Sequence, residues 1–314
     1  MKRDIISMLD VEDILGELLV LAEEMKAGKY KDQAPLKGKK LAMIFEKSST
    51  RTRVSFEVGM LELGGYALNL SMKELQLGRG ETVADTAKVL SRYVDGIMYR
   101  AYQHAMMLEL SHNASVPVIN ALDDVEHPCQ IMADLLTIKE YKGRLRGIKV
   151  AYVGDGNNVC NSLMLGAAMC GMDFIAAVPK GFEPDKERTG LAKSIADKYN
   201  GSVEIIDDPM VAAKGADAVY TDVWVSMGQE DQAEERLKLF LPYQINKKLM
   251  SQAQPDAIAM HCLPAHRGME ISADVMDGPH SVVFDQAENR LHAQKAILLK
   301  LLSDAPEEDQ WNQD

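Results

Sequence analysis

Short apolar runs recur along the chain, and each is followed by a helix-length stretch in which polar and apolar positions interleave. The runs read as strands near Leu41–Phe45, Tyr66–Leu70, Gly96–Tyr99 and Val116–Ile119 in the first half. In the second half they fall near Lys149–Val153, Phe174–Val178, Val203–Ile206, Ala218–Tyr220, Ala257–Met260 and Val282–Phe284. Strands alternating with helices predict an α/β chain built on parallel sheets. Ile14, Leu18, Leu21 and Met25 share one face of an opening amphipathic helix, and Ala293–Leu302 predicts a closing helix that returns to cover the first sheet.

The stretch LKGKKLAMIFEKSS from Leu36 resembles LRGIKVAYVGDGNN from Leu145 in its order of apolar, glycine and basic residues. This echo predicts two similar domains, each a central, mainly parallel sheet flanked by helices. The charged segment Lys139–Gly147 reads as the crossing between them. The expected division is residues 1–138 plus 290–314 for the first domain and 139–289 for the second. The acidic tail APEEDQWNQD reads as frayed.

A length of 314 residues with 46% hydrophobic content fills two such cores. The formal net charge of -12 excludes general nucleic-acid binding, which needs a basic face to displace counterions, so any anionic ligand must be held by a local cluster. The opening MKRDIISMLD lacks the apolar core of a signal peptide, and no apolar run approaches the roughly 18 residues of a membrane span. A cytoplasmic protein without a membrane partner is expected. Four cysteines with no Cys-x-x-Cys spacing argue against a disulfide scaffold or a zinc knuckle.

Parallel sheets bind ligands beyond the carboxyl ends of their strands, where helix N-termini present their amides. The unusual polar clusters all fall at such ends. Ser49-Thr50-Arg51-Thr52-Arg53 combines hydroxyls, guanidinium groups and a predicted helix start, a set suited to a phosphate dianion; the competing reading is a solvated capping segment. It lacks the glycines and lysine of a nucleotide-triphosphate loop. His127-Pro128-Cys129-Gln130 opens a helix, and His261-Cys262-Leu263-Pro264 stands at another strand end. The pairing favours functional over structural histidines. Adjacent His261 and Cys262 are poorly spaced to chelate one zinc ion. A Cys/His nucleophile is the other alternative, and it predicts rapid inactivation by a thiol reagent.

Gly154-Asp155-Gly156-Asn157-Asn158-Val159 resembles the opening of a dinucleotide fingerprint, which raises an NAD-dependent dehydrogenase as the reading from another class. Val159 stands where the third glycine belongs, and the next strand ends in Pro179-Lys180 without the acidic residue that holds a ribose. Asp222–Gly228, DVWVSMG, reads as a mobile lid carrying one fixed anion. The charged run QEDQAEERLK that follows reads as a solvated face.

Taken in order, STRTR, HPCQ, DVWVSMG and HCLP closely resemble the ornithine members of the aspartate/ornithine carbamoyltransferase family, and the resemblance spans nearly the whole chain. It implies transfer of a carbamoyl group from carbamoyl phosphate to the δ-amine of L-ornithine, giving L-citrulline and phosphate, in arginine metabolism. It further implies a carbamoyl-phosphate domain first, an ornithine domain second, a homotrimer or a multiple of trimers, and no cofactor or metal. Ser49, Thr50, Arg51 and Thr52 are then expected to grip the phosphate, with Arg290 adding charge. Arg100 and His127, with Thr52, are expected to face the carbamoyl oxygen. Gln130 and the carbonyls of Cys262 and Leu263 are expected to hold the carbamoyl amine. By the same resemblance Asn158 binds the ornithine carboxylate and Asp222 with Ser226 and Met227 fixes its α-amine; the cost of deprotonating the attacking amine adds the expectation that Asp222 with Cys262 holds the zwitterion for attack. Gln76 matches a loop that reaches into a neighbouring subunit's phosphate site. Putrescine or an acylated ornithine is the alternative acceptor, and a non-catalytic binding protein is the remote one.

Overall fold

The computed structural model describes residues 2–72, 75–225 and 233–303. The chain runs α1 (Leu15–Lys26), β1 (Lys40–Phe45), α2 (Thr50–Glu62), β2 (Tyr66–Ser71), α3 (Val83–Leu90), β3 (Gly96–Arg100), α4 (His104–Asn113), β4 (Val118–Leu122) and α5 (Pro128–Lys142). It continues through β5 (Lys149–Val153), α6 (Asn158–Met169), β6 (Asp173–Ala177), α7 (Lys186–Tyr199), β7 (Ser202–Ile206), α8 (Pro209–Ala213), β8 (Ala218–Thr221), α9 (Ala233–Phe240), α10 (Lys247–Met250), β9 (Ile258–His261), α11 (Ala273–Met276) and α12 (Val283–Leu302).

All the strands pair in parallel, in two sheets ordered β2-β1-β3-β4 and β7-β6-β5-β8-β9. Their central members are apolar on both faces: every residue of Leu41–Phe45 and of Gly96–Arg100 is buried. That is what helices packed on both sides of a parallel sheet demand. The internal echo is real in the topology. β1 and β5 each sit inside their sheet with the next strand on one side and a later strand on the other, so each sheet has its switch point beside the turn that leaves β1 or β5. The second sheet adds β7 as an extra edge.

The strand expected at Val282–Phe284 is a correction. Val282 is the N-cap of α12, and only a bridge forms there, with Val282 N–H donating to Ala259 O at 3.1 Å. The β-branched residues Val282 and Val283 gave a local strand signal, but helix formation from Val283 buries Val283, Gln286 and Arg290 together, which a strand's alternation does not. The closing helix is accordingly longer than its apolar pattern indicated. It packs on α1, α2 and α5, as expected of a helix covering the first sheet.

The charged crossing, Lys139–Gly147, begins inside a helix. α5 runs on to Lys142 and ends with Gly143 in the left-handed region (φ 70), so the connection is a helix tail and a short turn. One apolar cluster runs from Leu41 and Met43 through Met132, Leu135 and Leu163 to Val150 and Tyr152, joining the two sheets across α5 and α6. A polar knot crosses the same seam. Buried Asp134 on α5 accepts from Gln130 Nε2 (2.8 Å), from Gln286 Nε2 (2.8 Å) and from Tyr220 Oη (2.9 Å). Burial pushes its carboxyl up to about 6. Among the described residues no helix is long and apolar enough to cross a membrane.

Candidate active site

The carboxyl ends of both sheets open onto one cavity of about 560 Å³ between them. Its walls include Ser49, Thr50, Arg51, Thr52, Arg100, His127, Gln130, Asn158, Asp222, Cys262, Leu263 and Arg290, so twelve of the fifteen site residues expected from the sequence meet here. Gln76 does not line it; this residue is exposed in a short 3₁₀ turn, Gln76–Arg79. Ser226 and Met227 lie outside the described residues. Lys47, Val223, Val225 and His266 also line the cavity and were not singled out in the sequence.

The first sheet supplies a cationic wall. Ser49, extended (φ -158), caps α2 by accepting from Thr52 N–H at 3.3 Å, leaving the Thr50 and Arg51 amides without a helical acceptor. Arg51 donates to Leu263 O (2.7 Å), and Arg290 donates to Gln130 Oε1 (2.6 Å) and Thr52 Oγ1 (3.4 Å). Arg100 Nε has no hydrogen-bond partner among the described residues. None of Arg51, Arg100 and Arg290 is ion-paired among the described residues. Desolvation, together with Arg290 and Arg51, pushes Arg100 down to about 10, still charged at neutral pH. Two buried guanidiniums, Arg100 and Arg290, beside half-buried Arg51 and without a counter-ion among the described residues are costly unless an anion neutralises them.

His127 sits at the mouth of α5, its backbone N–H donating to Ser162 Oγ at 2.9 Å. Burial, then Arg290, Arg100 and Arg51, hold its imidazole well below the ordinary histidine value. It is therefore neutral, and its Nδ1 has no partner among the described residues. Such a group can donate a hydrogen bond to an oxygen without carrying a charge of its own.

The second sheet supplies the opposite sign. Asp222, buried at the end of β8, accepts from Val223 N–H (2.8 Å), Cys262 Sγ (2.9 Å) and Asn157 Nδ2 (2.7 Å). It has no ion pair among the described residues. Beside it the HCLP turn is fixed from both ends. Leu263 adopts a left-handed backbone (φ 58), its N–H donating to His261 Nδ1 (2.9 Å) while its carbonyl accepts from Arg51. Asn158 opens α6 and donates to Asp123 O (2.6 Å).

These contacts decide between the alternatives read from the motifs. Asp222, His261 and Cys262 bring ligand atoms within 4.8 Å of one another. Yet both nitrogens of His261 are engaged, Nδ1 by Leu263 N–H and Nε2 by Glu270 Oε1 (3.1 Å), which argues against a zinc ligand there. Burial and the Asp222 carboxylate raise the Cys262 thiol well above its ordinary value, so it is a neutral donor and a poor nucleophile. Asp155, in the dinucleotide-like turn, is consumed by a buried ion pair with Arg236. That pair corrects the expectation of a solvated QEDQAEERLK face. Glu234 and Glu235 are exposed, but Arg236 is buried between the rings of Phe182 and Phe240 and donates to Trp224 O (2.7 Å), tying α9 to the segment after Asp222.

The fold and cavity define a two-lobed α/β protein with an anion cradle facing a carboxylate. Comparison with known proteins gives the family. Residues 3–140 match the aspartate/ornithine carbamoyltransferase carbamoyl-P binding domain, and residues 146–301 match the aspartate/ornithine carbamoyltransferase Asp/Orn binding domain. The chain belongs to this family. It is 58% identical to the ornithine carbamoyltransferase of Carboxydothermus hydrogenoformans, over 96% of this chain and 97% of that protein. It is 55% identical to the catabolic ornithine carbamoyltransferase of Thermoplasma acidophilum, over 96% of this chain and 99% of that one. Among solved structures, ornithine carbamoyltransferase from Pyrococcus furiosus superposes with a TM-score of 0.93 at 52% identity, covering 97% of this chain and 98% of that one.

Proposed function

We propose that this protein transfers the carbamoyl group of carbamoyl phosphate to the δ-amine of L-ornithine, producing L-citrulline and phosphate. The observation that carries the reading is the sign reversal across one cavity, with Arg51, Arg100 and Arg290 on one wall and Asp222 on the other, none of them ion-paired among the described residues. A phosphate dianion and an amino-acid ammonium satisfy both walls at once. An N-acylated ornithine has no α-ammonium and would leave Asp222 buried without a cation.

In this reading Ser49, Thr50, Arg51 and Thr52 bind the phosphate with Arg290, and Arg51 exchanges its contact with Leu263 O for a phosphate oxygen. The freed carbonyl of Leu263, that of Cys262 and Gln130 then receive the carbamoyl amine. Attack of the δ-amine builds negative charge on the carbamoyl oxygen, where Arg100, neutral His127 and Thr52 stabilise it more in the transition state than in the ground state. Asp222, Ser226 and Met227 hold the α-amine and Asn158 the carboxylate. A lysine-like amine costs about 4.6 kcal/mol to neutralise at pH 7, at about 1.36 kcal/mol per unit from about 10.4. No lysine-matched base stands out in the motifs, and in this reading Asp222 and Cys262 hold the zwitterion with the amine desolvated while the departing phosphate takes the proton.

The division into residues 1–138 plus 290–314 and 139–289 is supported by the packing of α12 on α1, α2 and α5. Association with further copies of the chain, for which a homotrimer is the expected form, is supported by exposed apolar side chains on the first lobe. Val54 and Leu61 on α2 and Tyr66 and Leu68 on edge strand β2 face solvent, Leu61 at 73% and Tyr66 at 65% exposure. Gln76 follows that edge strand, where it could serve a neighbour's cavity. Assay of the purified protein with carbamoyl phosphate and a panel of amines tests the function: ornithine should release phosphate and citrulline in equal amounts, and equal turnover with putrescine would overturn the acceptor.

A further inference from the structure

We propose that Asn157 is the positioning residue that aims Asp222 at the amino-acid amine, so that the cap of α6 also organises the anionic end of the cavity. The inference rests on the reading that Asp222 receives the α-ammonium of ornithine, and it adds a residue that this reading does not use.

The two ends of the Asn157 amide are committed in opposite directions. Its Oδ1 accepts from the backbone N–H groups of Val159 (3.0 Å) and Cys160 (3.1 Å), the first amides of α6, and from Tyr152 Oη (3.2 Å). Backbone amides only donate, so the oxygen must lie on that side and the NH2 must face Asp222. There Nδ2 donates to Oδ2 at 2.7 Å. An ionised carboxylate offers about four acceptor positions. Val223 N–H and Cys262 Sγ occupy two on Oδ1, and Asn157 occupies one on Oδ2. Both oxygens are oriented, and one position is left for an ammonium.

The turn that presents Asn157 is shaped by glycines. Gly154 adopts φ +143, and a Cβ on Gly156 would lie 2.3 Å from Pro184 N and 2.4 Å from Phe182 O. The backbone thus enters α6 close against the Phe182–Pro184 segment, with the cap directly beside the end of β8.

A cap needs only an acceptor, so aspartate or serine would serve α6 equally well. Asparagine is the strong capping residue that still has an N–H2 group to give. The identity of residue 157 therefore distinguishes a cap from a cap with a second task.

The test compares Asn157→Ser and Asn157→Asp with the parent protein. Serine keeps the capping oxygen but cannot reach Asp222; aspartate keeps the cap and sets an anion against Asp222. Both should melt within a few degrees of the parent and bind carbamoyl phosphate unchanged. The KM for ornithine should rise about 10- to 100-fold in Asn157→Ser, the range expected for losing one hydrogen bond to a buried charge. In Asn157→Asp it should rise further and become strongly pH-dependent, because two adjacent carboxylates share a proton. Ornithine KM unchanged in a folded Asn157→Ser protein would overturn the inference, whatever Asn157→Asp does. Asp222→Ala separates the two levels. If it also leaves ornithine KM unchanged, the reading of Asp222 itself fails; if it raises KM while Asn157→Ser does not, only the role of Asn157 fails.

Discussion

The turn leaving β1 and the turn leaving β5 occupy equivalent places in their two sheets and carry opposite chemistry. In the first, Ser49 caps α2 with a short hydroxyl, and Arg51 stands among helix amides that have no intrahelical acceptor. In the second, Asn157 caps α6, occupies the Val159 and Cys160 amides, and turns its amide N–H2 toward a carboxylate. In the proposed function the first helix start receives an anion, whereas the cap of the second orients its neighbour Asp222 toward a cation. The fold supplies two identical kinds of crevice, and the capping residue together with one or two charges decides the sign of each. This is how a duplicated α/β plan can seat two dissimilar substrates face to face.

Removing charge from either wall should damage one substrate and spare the other. The largest effect is expected from Arg100→Ala, which takes a donor from the carbamoyl oxygen. Loss of such a donor costs about 10²–10³ in kcat, measurable by steady-state assay at saturating substrates. Asp222→Asn should raise ornithine KM about 100-fold, since truncating a buried charge pair costs about 2–5 kcal/mol, while calorimetry shows carbamoyl phosphate binding intact. Arg51→Ala is the mirror image: carbamoyl phosphate affinity should fall about 10- to 100-fold, as for one lost charge-assisted contact. If both substitutions weakened both substrates equally, the two-wall division would be wrong.

Protonation sharpens the same contrast. With the phosphate as final proton acceptor, kcat/KM for ornithine should climb from pH 6 toward the amine's ordinary pKa of about 10.4; a flat profile from pH 6 to 9 contradicts that route. His127 should not contribute an acid limb, because it is already neutral. Its folded value lies below its unfolded one, so the unfolded chain binds the proton first as pH falls. Its effect on stability is therefore absent above about 6.5 and becomes a loss below it. Melting curves from pH 7 to 5 should show that loss, reduced in His127→Gln. The smallest effect is expected of Ser49→Ala, which should lower stability by about 1 kcal/mol through the lost cap of α2.

Much of this was legible in the residues because the informative signals are local. Arg51 and Arg53 among three hydroxyls after an apolar strand are conspicuous in a chain of net charge -12, and HPCQ and HCLP mark strand ends without any knowledge of the fold. What stayed hidden depends on distant partners. Asn157 looks like part of a dinucleotide turn until β8 brings Asp222 against it, and Arg236 looks like one charge in a solvated run until Asp155 and two aromatic rings enclose it. The neutrality of His127 is set by burial and then by arginines from three separate elements. Val282–Phe284 failed for the converse reason: its local signal was strong, and the packing of α12 overrode it.

The central claim is that the first lobe cradles a phosphate while Asp222 in the second holds an amino-acid ammonium across one cavity. Its most direct test is a crystal structure with a bisubstrate analogue in which a phosphonate is joined through an amide to the δ-nitrogen of ornithine. The account predicts the phosphonate against Arg51, Arg100 and Arg290 and the α-amine within hydrogen-bond distance of Asp222. A phosphonate directed to solvent, or an α-amine away from Asp222, would contradict it.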